Sequence, residues 1–161
     1  MFNIGETLIY ANTGLCSVED VREESFAGEN KRYYILKPLS DTKSTIHIPC
    51  DSERLTKKMH KLLSEKEALL ILSHFSDSLI EWQEHDKRRA EAFRKVIESA
   101  DRRLTASLIN TIRKKRLEFF KKGKKLRASD EVILKSAESL FFEEFCYVLK
   151  KDKNELELLL K

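Results

Sequence analysis

The chain has 161 residues, of which 41% are apolar and 36% are charged, and its formal net charge is +4. This length allows one ordinary domain or two small ones, and the apolar content is too high for a disordered tail. The longest apolar runs, such as residues 68–72, are far shorter than the about 20 residues that cross a bilayer, so we expect no membrane span.

The first 50 residues carry strand signals. Four runs rich in β-branched and aromatic residues are separated by turn residues, which predicts a meander of short antiparallel strands. The predicted strands cover residues 7–10, 16–21, 32–39 and 45–48. A sheet with so few strands protects its core and its edges best by closing on itself, so we predict a small β-barrel.

After Pro49 the pattern becomes helical, because no further proline and a single glycine, Gly123, follow. Ser64 and Glu67 have the spacing of a capping box at a helix start. We predict helices over residues 65–75, 84–99, 102–122, from 129 onward, and 154–160. The fold class is therefore α+β, a β-module followed by an all-α bundle, with a boundary between residues 50 and 63.

Positive charge is concentrated in the third of these helices and the turn after it. Residues 102–127 hold 11 basic side chains and one acid, Glu118. Cations at this density repel one another unless a polyanion neutralises them, so we predict contact with nucleic acid without strong sequence preference; a solvated helix face is the alternative. The candidate contacts are Lys87, Arg88, Arg89, Arg113, Lys114, Lys115, Arg116, Lys121, Lys122, Lys124 and Lys125.

Trp82 is the only tryptophan and stands between the first two bundle helices, beside charged residues. An exposed indole at this place can wedge against distorted or unstacked DNA. The same ring can also fill the corner between two helices as part of the core. The sequence leaves both interpretations open.

Residues that would support catalysis are missing. The four histidines are not paired at helical spacing, no glycine-rich phosphate loop occurs, and the acidic pair Glu143-Glu144 looks like solvated helix positions. Three cysteines are odd in number and far apart, unlike a disulfide framework or a zinc site. We therefore expect no enzymatic activity, cofactor or metal. The first residues lack a secretory signal, which predicts a cytoplasmic protein.

Four strings in the first 50 residues resemble the CarD family of bacterial transcription factors. They are IGETLIY at 4–10, GLCSV at 14–18, YYILK at 33–37 and IHIP at 46–49. In the second half, Trp82 stands where family members place a tryptophan that wedges at the upstream edge of the promoter bubble. Residues 126–131 resemble the family's Leu-Ser-x-x-Glu helix start. The resemblance therefore covers nearly the whole chain.

The resemblance implies a Tudor-like barrel over residues 1–55 that binds the RNA polymerase β subunit, and a helical DNA-contacting domain over residues 56–161. It implies a factor that stabilises the open promoter complex, with Trp82 hindering reclosure of the duplex. It also assigns Glu24, Phe26 and His47 to polymerase binding. We expect a monomer, and neither a cofactor nor a membrane partner is implied.

The chain departs from the family at some of these positions. His47 stands where relatives use arginine, Glu24 aligns roughly with another basic contact, and residues 83–86 replace the basic residues that follow the tryptophan. Polymerase affinity, or its response to pH, is therefore expected to differ from that of relatives. Two alternatives stay open: a protein adaptor that binds no DNA, and a nucleic-acid-binding protein that acts without polymerase.

Overall fold

The computed structural model describes residues 1–160, apart from the side chain of Asn12. The chain divides into two compact units, the first from Met1 to Leu62 and the second from Leu63 onward. None of the helices in residues 1–160 is long and apolar enough to pass through a lipid bilayer.

The first unit is an antiparallel sheet of five strands in the order β4-β3-β2-β1-β5. The strands are β1 (Thr7–Tyr10), β2 (Gly14–Phe26), β3 (Glu29–Pro38), β4 (Ile46–Pro49) and β5 (Met59–Lys61), with a short helix α1 (Glu53–Thr56) before β5. Side chains on one face form the core, including Leu8, Cys16, Val18, Leu36 and Ile48. No pairing joins β4 to β5 within the described residues, so the sheet is open and the predicted barrel closure is not seen.

The long hairpin of β2 and β3 dominates this sheet. Its two turn residues, Ala27 and Gly28, both have positive φ angles, of 52° and 84°, as a two-residue type I′ turn requires. A bulge between Val18 and Asp20 shifts the register of the hairpin, and such bulges increase the local twist of a strand. Because β5 pairs with β1, the first unit extends past the boundary predicted at residue 55.

The second unit is a bundle of five helices. They are α2 (Glu65–Ser73), α3 (Asp86–Glu98), α4 (Arg102–Lys121), α5 (Ala128–Leu149) and α6 (Lys153–Leu159). The predicted capping box at Ser64 and Glu67 is confirmed. Residues 105–110 of α4 are all buried, because α2, α3 and α5 pack around this helix. The α+β class is confirmed, and α4 is the central helix of the bundle.

Candidate nucleic-acid and protein interfaces

The outer face of the sheet brings together the three residues assigned to polymerase binding. Side chains alternate between the two faces of a strand, so Glu24 and Phe26 on β2 point to the same side as His47 on β4. The Glu24 carboxylate lies 2.7 Å from His47 Nδ1. The Phe26 ring lies 6.2 Å from the His47 ring and 5.4 Å from Tyr33. The sequence analysis did not single out Tyr33, although its alternation on β3 places it on this face.

The charges of this face compensate one another. Arg22 donates to the Glu24 carboxylate at 2.9 Å, and this bond, together with that of His47, holds the pKa of Glu24 below its usual value. Phe26 remains 53% exposed. We name the set of Glu24, Phe26, Tyr33 and His47 the aromatic face. An exposed ring beside compensated charges is suited to contact with another protein, because a few buried side chains, often aromatic, contribute most of the binding energy at such interfaces.

Trp82 of the second unit is half-buried and packs on the helical core. Its ring meets Phe93 and Phe119 edge to face, with centroids 6.0 and 6.2 Å away. The guanidinium carbon of Arg89 lies 4.2 Å from the ring centroid, and Lys115 Nζ lies 5.6 Å from it. The indole therefore fills an inter-helix corner and still keeps part of its surface in solvent, so the two interpretations of the sequence are not exclusive.

Arg89 is a structural arginine in this bundle rather than a surface cation. The residue is 3% exposed, and its guanidinium donates to both carboxylate oxygens of Asp130, at 3.0 and 2.8 Å. The hydrogen bonds that Arg89 donates to Asp130 and then to Asp86 raise its pKa despite its burial. The inclusion of Arg89 among the phosphate contacts is therefore corrected, because its donors are already used inside the protein.

Arg113 is also engaged within the bundle. It donates to Glu138 of α5 at 2.6 Å and to Glu157 of α6 at 2.9 and 2.7 Å. The hydrogen bonds that it donates to Glu157 and then to Glu138 raise its pKa. Each of its three guanidinium nitrogens is thus engaged by a carboxylate of the protein itself, so its assignment to the DNA surface is also corrected. The acids that neutralise it lie outside residues 102–127.

Three further candidates form weaker ion pairs at the surface. Lys115 lies 3.3 Å from Glu118, Lys122 lies 3.4 Å from the same carboxylate, and Arg116 lies 3.6 Å from Glu131. Lys115 and then Lys122 lower the pKa of Glu118. Exposed pairs such as those of Lys122 and Arg116 contribute little to stability, so these two cations remain able to exchange a carboxylate for another anion, whereas Lys115 is only 19% exposed.

Six candidates are exposed and form no ion pair within residues 1–160: Lys87, Arg88, Lys114, Lys121, Lys124 and Lys125. We name the last four the lysine surface, which covers the C-terminal end of α4 and the turn after it. The turn forms because Gly123 adopts a φ of 69° and Lys124 N–H bonds to the carbonyl of Phe119 at 2.8 Å, as in a Schellman cap.

The structure also contains charged groups that the sequence analysis missed. Glu144 was interpreted as a solvated residue, but it is 3% exposed, and Arg102 donates to it at 2.9 and 3.0 Å. It also accepts the N–H of Leu63 at 3.1 Å. Its position in the apolar period of α5, beside Phe141 and Phe145, is the signal that would have indicated burial.

Two comparisons with known proteins relate to these surfaces. Residues 2–63 match the family described as CarD-like/TRCF RID domain. Over 148 residues the chain is 26% identical to a Bacillus subtilis (strain 168) protein that bears the name "Putative transcription factor YdeB", and the alignment covers 89% of this chain and 90% of that protein. The matched family thus covers the sheet, and the similar protein spans both units.

Proposed function

We propose that this chain is a CarD-like transcription regulator that binds RNA polymerase and promoter DNA, since residues 2–63 match the CarD-like/TRCF RID domain. The sheet unit captures the polymerase β subunit, and the helical unit contacts the DNA. The chain acts by binding alone, without catalysis or a cofactor, and it favours the open promoter complex.

The aromatic face is the part of the sheet unit that we assign to the polymerase. Phe26 projects from the end of the long hairpin and rests against Tyr33 and His47, so little side-chain freedom is lost when a partner covers it. The hydrogen-bonded side chains of His47 and Glu24 lie beside these rings. Such a small face supports modest affinity, and the polymerase contact therefore serves as a tether.

The observation that carries the DNA part of the proposal is the lysine surface. Its four cations are exposed and, within residues 1–160, have no carboxylate partner, while the similar protein named as a transcription factor spans the same unit. Phosphate contacts by flexible lysines give affinity without sequence readout. Tethering to polymerase raises the effective concentration of such a weak DNA-binding unit at promoters.

Trp82 supplies the contact that distinguishes opened from closed DNA. Its half-buried ring lies 5.6 Å from Lys115 Nζ, and an apolar ring at a junction between paired and unpaired bases hinders their restacking. Because the ring also packs on the core, Trp82→Phe is the suitable variant: it keeps an aromatic filler and removes the larger indole. We expect a shorter open-complex lifetime with an unchanged fold.

The decisive experiment measures binding to a labelled promoter fragment with and without RNA polymerase. We expect polymerase to increase the retention of this chain on DNA by about tenfold or more, as tethering predicts. Phe26→Ala should abolish the gain and leave the polymerase-free affinity unchanged. Leu39→Ala is the matched control, because Leu39 is another exposed apolar residue of the same unit outside the aromatic face.

Equal DNA affinity with and without polymerase would contradict the tethering model. That result would favour the alternative of a nucleic-acid-binding protein that acts without polymerase. Retention by polymerase with no salt-dependent DNA binding would instead favour the protein adaptor.

A further inference from the structure

The segment that carries Trp82 has no regular secondary structure, since residues 77–85 join α2 to α3 as bends and coil. Before Trp82 it is fastened to α4. Ser107 Oγ accepts the N–H groups of Leu79 and Ile80, at 2.8 and 3.1 Å, and Thr111 Oγ1 donates to the Ile80 carbonyl at 2.8 Å. The backbone is thus held on one side of the indole by the central helix.

On the other side of Trp82 the same segment is held by Arg89. Nη1 of this arginine donates to the carbonyls of Gln83 and Glu84, at 2.8 and 3.3 Å. These are the two residues that directly follow Trp82, so the backbone is anchored both before and after the ring. A segment without its own backbone ladder depends on such side-chain anchors for a defined conformation.

Arg89 is itself fixed by two carboxylates. Nε and Nη2 donate to the two oxygens of Asp130, and Nη2 also donates to Asp86 at 2.8 Å. With the two carbonyls, these bonds account for all five N–H donors that a guanidinium carries. All of them lie in the plane of the group, which leaves its flat face to stack on the indole, 4.2 Å from the ring centroid.

We propose that Arg89 is a positioning residue that sets the place and orientation of Trp82 for its contact with DNA. This inference rests on the proposed function. Arg89 reaches no DNA itself, because it is buried. It links the first turn of α3 and the first turn of α5 to the segment of Trp82. Lysine cannot replace it, since an ammonium has three donors and no flat face.

The test removes the clamp without leaving a buried charge. In Arg89→Met/Asp130→Leu both members of the buried pair become apolar, a change that often leaves stability unaffected or improves it. The matched control is Arg102→Met/Glu144→Leu, which removes another buried pair of the same bundle, whereas the Trp82 ring packs with Phe93, Phe119, Arg89 and Lys115. Arg89→Lys tests whether charge alone suffices. Circular dichroism and urea unfolding identify the folded variants.

Trp82 is the only tryptophan, so fluorescence from selectively excited tryptophan reports on this site alone. We expect a red-shifted emission and stronger acrylamide quenching in Arg89→Met/Asp130→Leu and in Arg89→Lys, and wild-type behaviour in the control pair. In promoter assays, the lifetime of the open complex should fall by about tenfold in the first double variant, as expected for the loss of a desolvated cation–π contact, and stay unchanged in the control.

Unchanged quenching and unchanged lifetime in the folded Arg89→Met/Asp130→Leu protein would overturn the inference. Full activity of Arg89→Lys would overturn it as well, because geometry would then not matter. A failure of the proposed function has a different signature: Trp82→Phe would leave the open-complex lifetime unchanged. In that case the quenching result still decides whether Arg89 positions the ring.

Discussion

The arginines and the lysines of residues 102–127 end in different surroundings. Every arginine of this stretch has a carboxylate within 3.8 Å, supplied by residues outside the stretch. The lysines pair only with surface carboxylates or, in the lysine surface, with none within residues 1–160. The planar fork of arginine matches carboxylates and is weakly hydrated, whereas the lysine ammonium is strongly hydrated. Within this stretch the bundle therefore uses Arg102 and Arg113 internally, whereas the lysine surface stays exposed.

The count of charges in residues 102–127 overstates the positive charge that the folded bundle exposes there. Eleven basic residues against one acid suggest a strong field along one helix, but α5 and α6 return carboxylates to it when the chain folds. The exposed cations that remain available to a polyanion lie at the C-terminal end of α4, in the turn after it and at the start of α3. The positive surface is smaller than the sequence predicts, in keeping with a DNA-binding unit that needs a tether.

Arg113 is the arginine of this stretch whose loss we expect to lower the free energy of unfolding most. Arg113→Met removes the guanidinium that Glu138 and Glu157 share and leaves them only Lys153, which lies 3.9 Å from Glu138. We expect the free energy of unfolding to fall by about 2 kcal/mol, less than for a fully buried pair that loses one partner because these side chains are only partly buried, measured by urea unfolding. Lys114→Met, the neighbouring substitution, should change it by less than about 0.5 kcal/mol. Equal losses would show that the two cations are not distinguished.

A second variant removes the positive charge of the lysine surface. Changing Lys114, Lys121, Lys124 and Lys125 to Gln should weaken DNA binding by about 30-fold at low salt and reduce the slope of log affinity against log salt by about 3. The free energy of unfolding should not change. The control changes four exposed lysines elsewhere in the bundle to Gln, with the same loss of charge: Lys66, Lys135, Lys150 and Lys151. If both sets weaken DNA binding equally, only net charge matters and the lysine surface is no interface.

Local sequence signals predicted most of the fold. Both ends of β1 and the capping box of α2 follow from residues that are adjacent or three apart. The strand β5 was missed, because Met59-His60-Lys61 has no alternation and is ordered by its pairing with β1. Barrel closure was predicted from a general argument about edges, and the short β4, which ends at Pro49, limits edge pairing in another way.

The candidate sites were predicted less well, for a physical reason. The sequence places Arg89 close to Trp82, but its partner Asp130 lies 41 residues further along the chain. No pattern of one helix indicates which distant carboxylate will meet which cation. The three residues assigned to the polymerase came from the family resemblance, and strand alternation adds only that Glu24 and Phe26 share one side of the sheet.

Glu157 is the acid through which α6 neutralises Arg113, and we expect it to make a small contribution to the pH dependence of stability. The hydrogen bond from Arg113 lowers the pKa of Glu157 below its ordinary value of 4.5. A carboxyl group with a lowered pKa in the folded state stabilises that state fully above its unfolded pKa. This stabilisation is lost as the pH falls through the folded pKa, so acid should weaken the docking of α6.

Glu157→Gln separates this contribution from general acid denaturation. Between about pH 5 and about pH 3 the wild type should lose roughly 0.5 kcal/mol more unfolding free energy than the variant, a small amount because Glu157 is about one-third exposed and solvent screens the pair. Glu98→Gln is the control, since Glu98 is exposed on α3 and forms no ion pair within residues 1–160. An identical pH dependence of the Glu157→Gln protein and the wild type would mean that α6 does not depend on this pair. In that case Glu138 alone would hold the Arg113 guanidinium within the bundle, away from the lysine surface.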